Sequence, residues 1–470
     1  MTINLTDLVA NAKRRVYKMR EARRNRASDE RVLRKEVLRL ALPATGEQLL
    51  SMMVSIVDTM LVGHLGASAL AAVSLATQWT FMAVTFFTAV STAATALVAR
   101  SVGAGDWDTA NRTVRQSVLV GLVIGLASTV LALLFAEPAV ALMGAEPEAL
   151  VQGVTYMRIA SSIFVLSALM FVGNACLRGA GDTRTTMMVM AVVNVLNIAV
   201  AWMAINGPFG LPRLGVAGSA LGAAVGRAAG GLLVLGILLK GRSGLKLDWR
   251  SWRPDFGLIK RVLRVGLPTG VERVAMRFGM MAFMRAIAGL GTVAVAAHAV
   301  ALRAESFSFM PGFGFAVAGT TLVGQGLGAH DPKRAERSGY LTYQMAAYLM
   351  AVMGLVFVLF PQPLIRLFTD DLMVVQMAVT PLRIVGFIQP LLAAAMVFPG
   401  SLRGAGDTRF PMYVTSASIW SIRVPAAILL GLGLGMGLAG AWLGMATDLT
   451  VRGIVFFLRF RGGRWKLMKV

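Results

Sequence analysis

The chain alternates long apolar runs with short polar connections, and that alternation leaves few folds open. A helix needs about 20 mostly apolar residues to cross roughly 30 Å of hydrocarbon. Twelve stretches qualify, at about 40–62, 70–98, 116–136, 150–172, 187–205, 215–239, 265–288, 293–323, 340–360, 375–398, 411–430 and 437–458. Composition agrees, with 56% hydrophobic and 15% charged residues, against about 25% charged in a soluble domain. Lipid gives no hydrogen bonds to the backbone, so such spans must be helices. The expected fold is an all-α integral membrane protein with twelve transmembrane helices.

The net charge of +23 raises a nucleic-acid reading. Nucleic-acid binders spread basic residues over one folded face. Here 35 of the 46 Lys and Arg residues fall in the tails and even-numbered connections, and two, Arg213 and Arg366, in the odd-numbered ones. That is topology charge: it places both termini in the cytoplasm of a multi-pass protein of the cell (inner) membrane, and no nucleic-acid partner is expected. The Arg-rich start gives no cleavable signal peptide, and the single Cys176 excludes an intramolecular disulfide.

"LRGAGDTR" occurs at 177–184 and again at 402–409, an offset of 225. The same offset carries Pro43 to Pro268, Glu47 to Glu272, "GAGD" at 103–106 to "GAHD" at 328–331, and Arg158 to Arg383. A duplicated six-helix unit accounts for it. Six is even, so the lobes are parallel repeats about a pseudo-two-fold axis along the membrane normal. Proteins built this way carry substrate between their lobes. The expected organisation is a basic cytoplasmic N-terminal tail (1–36), an N-lobe (37–240), a cytoplasmic inter-lobe linker (241–261), a C-lobe (262–458) and a C-terminal tail (459–470), in a monomer. The basic tail suits either anionic lipid headgroups or a solvated arm.

The octapeptide invites a phosphate-cradle reading, but it lacks the Lys-Ser/Thr ending and the preceding strand of such a loop. It reads instead as a turn. Gly179 and Gly181, like Gly404 and Gly406, permit tight connections; Asp182 and Asp407 can cap the following helix. Arg178, Arg184, Arg403 and Arg409 would hold these hinges at the headgroups.

Ionisable residues inside spans are costly and become functional candidates. Asp58 stands mid-span in "SIVDTML", and Asn194 and Asn197 share one face of span 5. A carboxylate with amide oxygens suits a proton carrier or a Na⁺ site. The position equivalent to Asp58 is Phe283. The C-lobe instead holds a possible polar network of Glu272, Arg277, Arg303, Glu305 and Arg423, along with Arg273 and Arg285. Glu272–Arg273 would snorkel, and Arg303, Glu305 and Arg423 would neutralise one another. His64 and His298 have no ligand company, so no metal is expected.

"LPATGEQLLSMMVSIVDTMLVGHLGASALAAVSLA", "GNACLRGAGDTRTTM", "ESFSFMPGFGFAVAGTTLVGQGLGA" and the second "LRGAGDTR" resemble the multidrug and toxic compound extrusion family, closest to its bacterial and archaeal branch. The resemblance spans about residues 36–460. It implies two lobes around a cavity and export of organic cations and hydrophobic drugs against inward H⁺ or Na⁺. Partners would be small hydrophobic or cationic molecules and membrane lipids, with no cofactor beyond the coupling ion. On that resemblance Asp58, Asn174, Asn197 and Ser219 occupy the family's coupling positions in the N-lobe. Ala201 stands where many relatives carry a second aspartate, which favours H⁺. The competing reading is a flippase for lipid-linked sugars, suggested by the C-lobe arginines. An enzyme is not expected, since no metalloprotease, Walker or nucleophile-elbow motif is present.

Overall fold

The computed structural model describes residues 5–144, 146–208, 212–248 and 252–468, with side chains from Asp29 onward. The basic side chains of the tail before Asp29 lie outside the described residues. The first half comprises α1 (Leu5–Gly63), α2 (Ala67–Gly103), α3 (Trp107–Leu134), α4 (Ala136–Ala141), α5 (Pro147–Ser162), α6 (Phe164–Gly179), α7 (Thr183–Asn206) and α8 (Val216–Lys240). The second comprises α9 (Phe256–Ala288), α10 (Thr292–Gly328), α11 (Pro332–Leu359), α12 (Pro361–Arg366), α13 (Leu372–Phe387), α14 (Gln389–Gly404), α15 (Arg409–Ser418), α16 (Val424–Ala426) and α17 (Gly437–Arg461). Two π-helical segments, Ile419–Arg423 and Ala427–Gly433, flank α16. Pro425 between them offers no N–H to the preceding turn, which frees the ladder to widen there.

Among the described residues nine helices are long and apolar enough to cross a membrane, and two bent pairs act as broken spans. α9 is 33 residues long and completes the twelve, although Glu272, Arg273, Arg277 and Arg285 lower its apolarity. The runs 150–172 and 375–398, expected as single spans, are each two helices. α5 meets α6 at 53° and α13 meets α14 at 60°. The breaks fall at Ile163 and Ile388, again 225 apart. In the first, Ser161 and Ser162 donate to the Arg158 and Ile159 carbonyls (3.2 and 2.8 Å), competing with the helix ladder. In the second, Pro390 withholds an N–H.

The repeat is visible in the turns. Gly66 and Gly291 take φ of +106° and +102° between equivalent helix pairs. Asp106 caps α3 by accepting from Thr109 N (2.9 Å), and Asp331 caps α11 by accepting from Arg334 N (2.8 Å). The turn before each cap uses Gly105 in one half and His330, at φ +56°, in the other. Apolar cores fill each lobe, one built on Val114, Leu169, Leu177 and Val234, the other on Phe283, Met350, Phe357 and Trp442. α1 joins them, because its Leu33, Val37 and Leu40 pack into the second core. Leu134, Leu142, Phe387 and Tyr348 stand exposed, as a lipid-facing surface requires.

α14 crosses α10 so closely that a Cβ on Gly404 would lie 2.1 Å from the Thr320 carbonyl oxygen. Gly404→Ala is therefore expected to cost about 1–3 kcal/mol by overpacking, measured as a lowered thermal unfolding midpoint of the purified protein.

Candidate functional site

The first arginine of each octapeptide pairs with a buried glutamate on the first helix of its lobe. Arg178 Nη1 donates to Glu47 Oε1 of α1 (2.9 Å), and Arg403 Nη2 donates to Glu272 Oε1 of α9 (2.7 Å). Glu272 therefore does not snorkel; it is buried and its charge is met within the protein. Thr186 Oγ1 donates to the second oxygen of Glu47 (3.0 Å). The equivalent residue is Pro411, and Glu272 Oε2 has no hydrogen-bond partner among the described residues.

Gly181 and Gly406 take φ of +88° and +89°, a left-handed turn that favours glycine. Gly179 and Gly404 let α6 and α14 press on the backbones of α2 and α10. Thr95 and Thr320 tie the same contacts with equivalent bonds, to the Ala175 and Gly400 carbonyls, both 2.9 Å.

The two aspartates differ. Asp182 caps α7, accepting from Thr185 N (3.0 Å), and also accepts from Ser243 and Arg242. Burial pushes its carboxyl upward, but these hydrogen bonds outweigh burial and hold it below the usual carboxylate range. Its contribution is thus complete at neutral pH and is lost only on acidification through that lowered value. Asp407 does not cap α15, contrary to expectation. Arg459 takes it with Nε and Nη2 (3.0 and 2.9 Å), and a guanidinium binds more strongly than a backbone N–H. Arg184 and Arg409 are exposed at the same face.

Inside the N-lobe, Asn197 Nδ2 donates to Asp58 Oδ2 (3.3 Å), linking α7 to α1. Asn174 on α6, Asn194 on α7 and Ser219 on α8 are buried, and none of them bonds to Asp58 among the described residues. Buried polar groups are almost always partnered. Among the described residues, Asp58 Oδ1, Asn174 Oδ1 and Asn197 Oδ1 are unpartnered buried oxygens, and Asn194 Nδ2 an unpartnered donor. α8 approaches through Gly222 and Gly226, which press on Ala201 and the Asn197 backbone. A second carboxylate at 201 would have to fit against that glycine. Arg227 of α8, overlooked in the sequence, lies close enough to attract Asp58.

The C-lobe network is arranged otherwise than expected. Arg423 is buried and its Nε donates to Asp448 Oδ2 of α17 (2.7 Å). Ser418 and Arg452 hydrogen-bond the same carboxylate. Asp448 is fully buried at 0% exposure. Glu305 is buried nearby and attracted by Arg423, but it is not the main counter-ion. Arg303 is exposed and belongs to no ion pair among the described residues. The π-helical turn carries Arg423 toward α17, where Asp448 sits one turn before Arg452; that four-residue acid–base spacing inside a span was the missed signal. Arg277 instead reaches α2 in the other lobe, donating to Gln78 Oε1 and standing over the Phe81 ring at 5.8 Å. His298 accepts from Trp442 Nε1 (3.1 Å) in the apolar core. No group of three or more His, Cys, Asp or Glu able to hold a metal occurs among the described residues.

Breaking a buried pair strands a charge and costs about 3–5 kcal/mol. Asp448→Asn is thus expected to lower the thermal unfolding midpoint steeply, whereas Arg303→Gln should leave it near the parent value.

The MatE family profile matches residues 43–203 and 268–429. A probable multidrug resistance protein NorM of Thermotoga maritima is 34% identical over 437 residues, covering 92% of this chain and 93% of that protein. A NorM protein of Rhizobium meliloti is 31% identical, covering 90% and 92%. Among solved structures, an outward-facing multidrug resistance MATE family transporter of the MOP superfamily superposes with a TM-score of 0.86 at 23% identity, covering 93% of this chain and 97% of that one. A MOP superfamily transporter from Pyrococcus furiosus, described as having a binding pocket of reverse polarity, gives 0.85 at 23% identity, covering 92% and 95%. At such identities the likeness establishes the fold: twelve helices in two lobes.

Proposed function

The chain belongs to the MatE family, and on that premise we propose that it is a multidrug efflux transporter that exports small hydrophobic or cationic molecules by antiport with an inward-moving cation. The observation that carries the coupling reading is the Asp58–Asn197 bond, set beside three unpartnered buried oxygens. When Asp58 is ionised, Asn197 donates to it. When Asp58 is protonated one of its oxygens becomes an O–H donor that calls for an acceptor, and meeting that demand changes the α1–α7 contact. Such a change of partners lets one proton bias a two-state packing.

H⁺ is favoured over Na⁺ because Ala201 supplies no second carboxylate. In the proposed orientation the face bearing both octapeptides, and both termini, are cytoplasmic, and the cell membrane holds the protein as a monomer. The lobes rock between outward and inward access around the N-lobe site.

A second reading, translocation of an anionic lipid-linked sugar, draws on Arg303, exposed and outside any ion pair among the described residues, and on Arg277. A lipid-translocation assay in proteoliposomes separates the two.

In proteoliposomes without Na⁺, an imposed pH gradient is expected to drive dye efflux, and Asp58→Asn to abolish the gradient-driven part. Efflux that needs a Na⁺ gradient would overturn the proton preference; unchanged efflux in Asp58→Asn would remove Asp58 as the coupling group.

A further inference from the structure

Each octapeptide turn receives a hydrogen bond from the opposite lobe, and the two bonds are related by the repeat. Arg100, near the end of α2, donates through Nη1 to the carbonyl of Ala405 in the second turn (3.5 Å). The residue 225 positions later is Gln325, near the end of α10; its Nε2 donates to the carbonyl of Gly179 in the first turn (3.0 Å). The backbones beneath the donors meet in the same reciprocal manner. A Cβ on Gly103 would lie 2.1 Å from the Gln325 carbonyl oxygen, and a Cβ on Gly328 2.0 Å from the Arg100 carbonyl oxygen. Thr321 Oγ1 adds a further cross-lobe bond to the Arg178 carbonyl (3.0 Å).

The C-terminal segment reinforces one side. Trp465 is buried and stacked on Phe460, with ring centroids 4.6 Å apart, and Lys466 pairs with Glu336 (2.8 Å), so the segment is anchored to the C-lobe. Its Met468 carbonyl accepts from the same Arg100 Nη1 (2.8 Å). Arg100 therefore ties the N-lobe both to the second turn and to this strap.

We infer that Arg100 and Gln325 form a reciprocal latch that holds the lobes together at the octapeptide face, and that its release opens this face in the transport cycle; the second half rests on the transport reading above. Every latch bond has its donor in one lobe and its acceptor in the other, so separating the lobes breaks them without unravelling either. The Glu47–Arg178 and Glu272–Arg403 pairs stay within their lobes and keep the acceptor carbonyls in place. The two sides are unequal in strength. Arg100 makes charge-assisted bonds to two carbonyls, and Gln325 makes one neutral bond.

The test uses the full chain in lipid nanodiscs, spin-labelled at Asp108→Cys and Lys333→Cys. These are exposed, repeat-equivalent positions at the starts of α3 and α11, and the native Cys176 is buried. Pulsed electron–electron distances in Arg100→Ala/Gln325→Ala are expected to gain a longer-distance population roughly tenfold above the parent, with Arg100→Ala alone giving more of it than Gln325→Ala alone. Gly103→Ala/Gly328→Ala leaves every donor intact but wedges the backbones apart, and should yield the same population even if the first pair folds poorly. An unchanged distribution in either double variant overturns the latch. That result would leave the transport reading standing, while a parent without efflux would remove the transport reading and leave the distances to stand.

Discussion

A carboxylate at the edge of the hydrocarbon must find a counter-charge, and Glu47 and Glu272 find theirs in Arg178 and Arg403. Each pair pins a glycine turn to the first helix of its own lobe. With the turn fixed, α6 and α14 can approach α2 and α10 at backbone distance, and the carbonyls of the turn face the opposite lobe. The cross-lobe bonds of Gln325 and Thr321, and one of the two made by Arg100, end on those carbonyls. The intra-lobe pairs are thus the rigid part against which a breakable contact is made.

The lobes share a frame but differ in how they hold their intramembrane aspartates. In the C-lobe, Asp448 answers Arg423 and Arg452 directly, and a paired buried charge favours one packing over others. In the N-lobe, Asp58 has, among the described residues, one 3.3 Å amide bond and an unpartnered second oxygen. An under-satisfied buried group is a cost to stability that persists where a site must accept and release a ligand. That contrast is why the coupling reading settles on the N-lobe although the C-lobe carries more charge.

Much of the fold was legible because lipid removes alternatives. Apolar length gave the spans, basic connections gave the sidedness expected of them, and the offset of 225 gave two lobes. The bends at Ile163 and Ile388 were not legible, since apolarity runs straight through them; serine hydroxyls in one copy and Pro390 in the other break the ladder. Asp407 was misjudged because a capping position in sequence says nothing about Arg459, 52 residues away, which outbids the backbone for it. Arg303 and Glu305 looked like partners because they are neighbours. Two residues along a helix turn side chains to different faces, and the counter-ion came from α17 instead.

What the sequence determined by itself was periodic and local: helices, the duplication, the glycine turns and the candidate carboxylate at 58. The pairing was decided only by tertiary structure, because a charge inside a membrane takes the nearest partner in space, whichever helix supplies it. Hence Asp58 with Asn197 and Arg423 with Asp448 were set by how the helices of one lobe pack, and the bonds of Arg100 and Gln325 by how the two lobes meet.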